Sequence, residues 1–347
     1  MSEVVSGNRP QLKILISDTF DPWFNIATEE WIFREMDPTV QTLFLWRNDH
    51  TVVIGRNQNP WSECNLQKMN DDGIKLARRT SGGGAVYHDL GNTCFTLLSP
   101  RDGYDRSTNS NIILAALKKF GIDAEASGRN DLVVSDTDGV KKFSGSAFRE
   151  TRDRAFHHGT LLMSADLTKL SQYLTPHPKK MLSKGRTSVR ARVINLSELN
   201  QEIRHETLVP AIVDAFCAHY GTSATPEVLN AESLNAIPAL NARFKELASW
   251  DWRFGHAPQF QQQLNEYLSW GFVDVFLDAE HGRIARVEIY SDSLFPNLIE
   301  TLQTSLKGIW YSKAGIDTAA LKAESILPDS KSDIQEFATW LKSQVEV

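Results

Sequence analysis

The stretch "RRTSGGGAVYHDLGNTCFT", Arg78–Thr96, sets three consecutive glycines between an arginine pair and a run of strand-forming residues. Glycine loses more conformational freedom on folding than any other residue, so three in a row need a reason. Backbone without a Cβ can approach a ligand closely and aim several N–H groups at one anion. Arg78 and Arg79 add forked donors suited to phosphate or carboxylate. No helix start and no Lys-Ser/Thr follow, so the pattern is neither a Walker A loop nor a dinucleotide fingerprint. The plain alternative is a flexible connection between strands.

The flanks read as sheet. "IKLARRT" is one strand, and "GAVYHDLGNTCFTLLSP" holds two more around Asp89–Leu90–Gly91. Upstream, "LKILIS" is a strand and "DPWFNIATEEWIFREM" a helix with Asn25 as its cap. "QTLFLWRN" and "TVVIGRN" are β-rich and separated by a short polar turn, which predicts that they pair. Downstream, "STNSNIILAALKKFGI" is a helix closed by Gly121, and "DLVVSDTDGVKKFSGSAF" a hairpin turning at Asp138–Gly139. "HETLVPAIVDAFCAHYG" is a further helix. The aromatic cluster "SWDWRFG" marks a boundary between a unit over residues 1–250 and a smaller one over 255–347. In the smaller unit Val273, Val275 and Leu277 should face Ala285, Val287 and Ile289 across a turn at His281–Gly282. Helices around Leu298–Leu306 and Ile334–Leu341 would cover that sheet.

With 347 residues the chain is long enough for two domains. A formal net charge of −6 argues against general nucleic-acid or anionic-membrane affinity. No apolar run approaches the roughly 20 residues that span a bilayer, and the start lacks a secretory pattern. The three cysteines, Cys64, Cys94 and Cys217, have no metal-ligand spacing and fit a reducing cytoplasm.

Other motifs remain ambiguous taken singly. In "SGRNDLVV", Asp131 either holds Mg²⁺ or makes an Asx turn into the strand. Lys141 and Lys142 alternate along a returning strand. The inward one is a point charge for a phosphate or oxyanion, or the two form a solvated pair. Gly145 in "SGS" suggests close approach of backbone to ligand. His157 and His158 have no carboxylate or cysteine at matching spacing, so no tight structural metal site is expected. "PKKMLSKGRTSVRARVINL" is a strongly basic segment, a mobile phosphate-facing loop or a solvated face.

Taken together, these motifs resemble the lipoate–protein ligase A family in its bacterial two-domain form. The resemblance is carried by "RRTSGGGAVYHDLGNTCFT", "SGRNDLVV", "KKFSGSAFRETRDRAFHHGTLL" and "KGRTSVRARVINL", with "DPWFN", "TVVIGRNQNPWSECN" and "SWDWRFGHAP" in family order. It covers nearly the whole chain. It implies an α/β (α+β) fold, with a large mixed-sheet catalytic domain like that of biotin ligases and a small C-terminal α/β domain. It implies ATP-dependent activation of lipoate to lipoyl-AMP and transfer of the lipoyl group to a lysine. Implied acceptors are lipoyl domains of 2-oxoacid dehydrogenase complexes and the glycine-cleavage H protein. Mg²⁺ as cofactor, a monomer and the cytoplasm complete that expectation.

By the same resemblance Arg79, Gly84, Ala85, Val86, Tyr87 and Lys142 contact ATP. Lys142 also contacts lipoate and is the catalytic residue. Gly83, His88, Asn92, Gly145 and His158 would line the lipoate pocket, with Asp131 at Mg²⁺ or phosphate. Lys184, Gly185 and Arg190 would lie on a loop closing over the adenylate. The glycine run would let backbone wrap the lipoyl-adenylate where any Cβ would collide. Tyr87, Phe143 and Phe148 depart from the family's commoner residues, which bears on acyl preference. Rival readings are an octanoyltransferase of the same fold, which in its cysteine-dependent form would need Cys94, a biotin ligase, and a non-catalytic lipoate-binding protein.

Overall fold

The computed structural model describes residues 10–102, 104–128, 130–136, 139–174, 193–254, 262–280 and 282–345. Its strands, in chain order, are β1 (Leu12–Ser17), β2 (Gln41–Trp46), β3 (Thr51–Ile54), β4 (Lys75–Arg78), β5 (Val86–His88), β6 (Asn92–Pro100) and β7 (Glu125–Ser127). They continue with β8 (Asp131–Asp136), β9 (Gly139–Glu150), β10 (Arg154–Leu162), β11 (Glu227–Leu229), β12 (Gln262–Leu268), β13 (Gly271–Glu280) and β14 (Arg283–Ser291).

Eight strands form one sheet in the order β11-β1-β2-β6-β10-β9-β8-β7. β1 runs parallel to β2 and to β11, and the other pairings are antiparallel, so the sheet is mixed as the motifs predicted. One face carries the Arg106–Lys118 and His205–Tyr220 helices over Leu43, Leu45, Phe95, Leu97 and Phe143. The other face packs Phe44, Trp46, Leu98 and Phe156 against helix α1 (Pro22–Glu35) and Leu240 and Leu247 of the Pro238–Ala248 helix.

Two local predictions are corrected here. Helix α1 is capped by Asp21, whose carboxylate accepts from the Trp23 and Phe24 N–H groups, with Pro22 in the first turn. Asn25 is already inside, and its side chain ties Ser17, Arg47 and Asn48 together. The second correction concerns β2 and β3, which do not pair. Leu43–Trp46 are all buried, so β2 has both faces covered and takes β1 and β6 as neighbours. After His50, at φ +45°, the chain enters a separate three-stranded sheet, β4-β3-β5. The glycine run joins two strands of this small sheet.

The C-terminal residues build a sheet in the order β12-β13-β14 over the Pro296–Leu306, Lys313–Ile326 and Lys331–Ser343 helices. Val275 and Leu277 oppose Ile289 and Val287 as read from the alternation. A register shift at Asp278/Ala279 then puts Ile284, not Ala285, into the core. β12 and the Lys313–Ile326 helix were not foreseen. Gly282 turns at φ +74°, while His281 and Asp138, at the two predicted turns, lie outside the described residues.

Candidate active site

The three glycines meet three different demands. A Cβ on Gly82 would lie 2.1 Å from the Ser293 carbonyl oxygen, which belongs to the C-terminal unit. Gly83 sits at φ +93°, where side chains are strained, and donates its N–H to that same oxygen at 2.8 Å. Gly84 has nothing within 4 Å of a Cβ built on it. So the run is not uniformly a place where ligand excludes side chains. Gly82 is reserved for the neighbouring unit, Gly83 for the turn, and Gly84 alone of the three has open space beside it.

The arginine pair is spent on main chain. Arg79 is buried, and its guanidinium donates to the carbonyls of Gly82, Gly84 and Val53 at 2.8–3.3 Å. Arg79 thereby holds the Gly82 and Gly84 carbonyls inward, toward its own guanidinium. Arg78 likewise donates to the carbonyls of Gly55, Arg56, Gln58, Trp252 and Arg253, pinning the Trp250–Phe254 helix beneath the bend. Burial pulls both guanidinium pKa values down to about 10, still charged at neutral pH.

Lys142 lies on β9 opposite β8, where the register shifts so that Val133 faces Lys142 while Leu132 faces Ser144. Phe143 lies in the core, Ser144 beside it is buried opposite Leu132, and Lys142 is partly exposed. The ammonium of Lys142 sits 2.6 Å from Asp131 Oδ1, and both side chains are about one-third exposed. A Cβ on Gly145 would come within 2.9 Å of Lys142 Nζ, so the glycine gives the lysine its room. Behind it, the Lys142 carbonyl accepts from Ile194 N–H at 2.9 Å, which anchors the segment following residues 175–192.

The remaining expected residues divide into two groups. His88, Asn92 and Cys94 are buried together, with His88 Nδ1 3.2 Å from Asn48 Nδ2 and Asn92 Nδ2 3.3 Å from the Cys94 sulfur. Burial holds the His88 imidazole neutral, its pKa lowered to about 3. Burial also pushes the Cys94 thiol well above its usual value, which removes the thiolate that a cysteine-dependent acyltransferase would need. Ala85 and Val86 are half-buried, and Tyr87 packs its ring 5.5 Å from Tyr173, inside the small sheet's core. The Tyr87 side chain is thereby taken up by packing. Lys184, Gly185 and Arg190 lie outside the described residues.

Sequence reasoning missed the carboxylates behind the bend. Glu29 and Glu30, adjacent on α1, are both buried. His158 Nδ1 lies 2.7 Å from Glu29, and its Nε2 lies 2.9 Å from Ser81 Oγ. Glu30 accepts from Arg149 at 2.6 Å, and Arg149 also donates to Thr80 Oγ1 at 3.2 Å. A helix with nearly every position inside gives no periodic signal that two of its buried residues are acids.

A backbone-lined bend, one lysine arm and a single carboxylate suit an anionic, activated substrate. A family model, the lipoyl protein ligase A/B catalytic domain, matches residues 21–217, and another, the bacterial lipoate protein ligase C-terminus, matches 257–341. Lipoate-protein ligase A of Bdellovibrio bacteriovorus is 50% identical over 337 residues, 97% of this chain and 99% of that protein. The chain belongs to the lipoyl protein ligase A/B family. As a lipoate–protein ligase it also has close structural relatives. P. falciparum LipL1, in complex with lipoate, is 34% identical with a TM-score of 0.83, covering 96% of this chain and 99% of that one. A bi-partite archaeal ligase from Thermoplasma acidophilum, studied with its E2 lipoyl domain, gives 25% and 0.63, covering 74% and 100%. A lipoate-protein ligase A bound with ATP gives 25% and 0.58, covering 72% and 99%. The ligase fold thus extends across all three sheets, and no described helix is long and apolar enough to cross a membrane.

Proposed function

We propose that this ligase works in two steps on one site, with a catalytic unit over residues 1–250 and an accessory unit over 255–347. A lipoate carboxylate oxygen attacks the α-phosphorus of ATP, pyrophosphate leaves, and lipoyl-AMP remains bound. The ε-amine of an acceptor lysine then attacks the lipoyl carbonyl, and AMP leaves as the amide forms. Lys142 is the group we assign to the α-phosphate and the anhydride oxygen, where negative charge grows in both steps. Gly84, Ala85 and Val86, with the backbone of Tyr87, face the nucleotide. Gly83, His88, Asn92, Gly145 and His158 lie toward lipoate. The observation that carries this reading is Lys142 held in reach of Gly145 and Asp131, on a strand that also forms the wall of the bend at Ala147.

Mg²⁺ would enter with the ATP phosphates, which would supply most of its oxygen ligands, and among the described residues Asp131 is the carboxylate paired with Lys142 that fits a supporting role. Bound there, the ion would offset phosphate charge. Acceptors in this proposal are lipoyl domains of 2-oxoacid dehydrogenase complexes and the glycine-cleavage H protein, met by a monomer in the cytoplasm. The T. acidophilum ligase and its lipoyl domain support the first of these. The test is lipoate-dependent exchange of labelled pyrophosphate into ATP. Wild-type exchange is expected, and Lys142→Ala should lower it by about a thousandfold with the fold retained. Exchange that needs no lipoate, or survives Lys142→Ala, refutes the assignment.

A further inference from the structure

Glu29, His158 and Ser81 form a continuous hydrogen-bonded chain from helix α1 to the first residue before the glycines. We propose that Glu29 and His158 are positioning residues for the activation step, acting through Ser81 on the shape of the glycine bend. This rests on the ligase reading above.

Every member of the chain is buried. Glu29 is 1% exposed and also accepts from Thr96 Oγ1 at 2.6 Å, so both its oxygens are spoken for. A carboxylate facing His158 Nδ1 puts the imidazole proton on that nitrogen. His158 Nε2 and the Ser81 hydroxyl share the next bond at 2.9 Å, and that hydroxyl also approaches the Gly82 carbonyl at 3.5 Å. Ser81 is thus tied by its side chain between His158 and the Gly82 carbonyl. Its carbonyl accepts from Arg56 N–H at 2.9 Å, and Gly82 follows directly. The chain thus sets the angle at which the backbone enters the bend.

The arrangement copies the order of a hydrolase triad, but the roles differ. Ser81 has no exposed surface, so no substrate carbonyl can reach its oxygen as a nucleophile requires. Burying a carboxylate is costly, and an apolar filling would serve stability as well or better. What an ion-supported chain adds is a fixed geometry at Ser81. A second chain runs alongside it, Glu30–Arg149–Thr80, and ends on the preceding residue. Consecutive acids on one helix thus orient consecutive hydroxyls at the mouth of the bend.

The experiment is a double-mutant cycle on lipoate-dependent ATP–pyrophosphate exchange, with melting temperature measured on every protein. Glu29→Gln and Ser81→Ala should each lower exchange kcat by about tenfold or more, and the double variant should fall no further, because groups acting as a unit are not additive. The KM for lipoate should stay within about twofold of wild type, the mark of a lost transition-state effect rather than lost binding. Thr80→Ala combined with Glu29→Gln should be additive. The proposal is overturned if Glu29→Gln and Ser81→Ala multiply, or if loss of rate follows melting temperature across the set. Should Glu29→Gln not fold, Ser81→Ala alone decides, since wild-type exchange from it removes the role. Absence of exchange in the wild-type ligase would instead strike at the parent reading.

Discussion

The glycine bend and the Lys142 edge are held in different ways. In the bend, Arg79 closes three carbonyls, Ser293 takes one N–H, and two side-chain chains reach the residues before it. At the edge, a partly exposed lysine meets one carboxylate beside a register shift. The bend is a fixed surface, over-determined from several sides. Lys142 is an arm with room to swing, because Gly145 presents no Cβ in its way. A site that must stabilise two successive transition states needs one part that keeps its shape and one that follows the charge.

The contrast can be tested by substitution. Gly82→Ala sets a methyl against a carbonyl in another unit, and neither backbone is free to retreat. We expect about 2–3 kcal/mol of lost stability in chemical denaturation. An unchanged midpoint would mean that the contact between units yields readily.

Acid should attack the scaffold behind the bend and spare the edge. His157, buried between the rings of Phe95 and Phe148, has its pKa lowered to about 3 by burial, as His88 does. The unfolded chain takes up these protons near pH 6.5, long before the folded one. The stability they contribute is therefore complete above that pH and drains away as pH falls from there toward 3. His157→Phe should remove about 1.4 kcal/mol per pH unit from the slope of stability between pH 6 and 4. An identical slope in the variant would show that His157 is not held neutral.

The smallest effects on folding belong to the open positions. Gly84→Ala should change stability by less than about 1 kcal/mol, since the methyl has space and φ is ordinary. It should raise the KM for ATP, and a normal KM would move the nucleotide away from this glycine. Lys142→Met should shift stability by less than about 0.5 kcal/mol, because a partly exposed ion pair contributes little. A larger loss would make Lys142 part of the scaffold.

Much of this was readable in the chain. Most strands of the larger unit, β13 and β14 of the smaller one, the Arg106–Lys118 helix and the hairpin carrying Lys142 follow from alternation, spacing and turn residues. What could not be read has a common cause. β2 is buried on both faces, so its sequence does not say which strands flank it. The buried Glu29 and Glu30 are ordinary helix formers whose partners lie 129 and 119 residues away. The inward turn of Arg79 depends on carbonyls, which leave no mark in a sequence. Gly82 looked like a ligand contact because the residue that excludes its side chain, Ser293, is far along the chain.

The seam between the two units has a consequence for how such a protein changes over generations. It is fastened by main-chain atoms, Gly83 to Ser293 and Asn57 to Ser291, with Arg56 and Glu300 as a charged pair beside them. Main-chain fastenings do not register which side chains a mutation installs, so either half can diverge while the joint persists, provided the glycines remain. A coding sequence divided at that joint would leave two pieces that carry the same backbone donors and acceptors for rejoining.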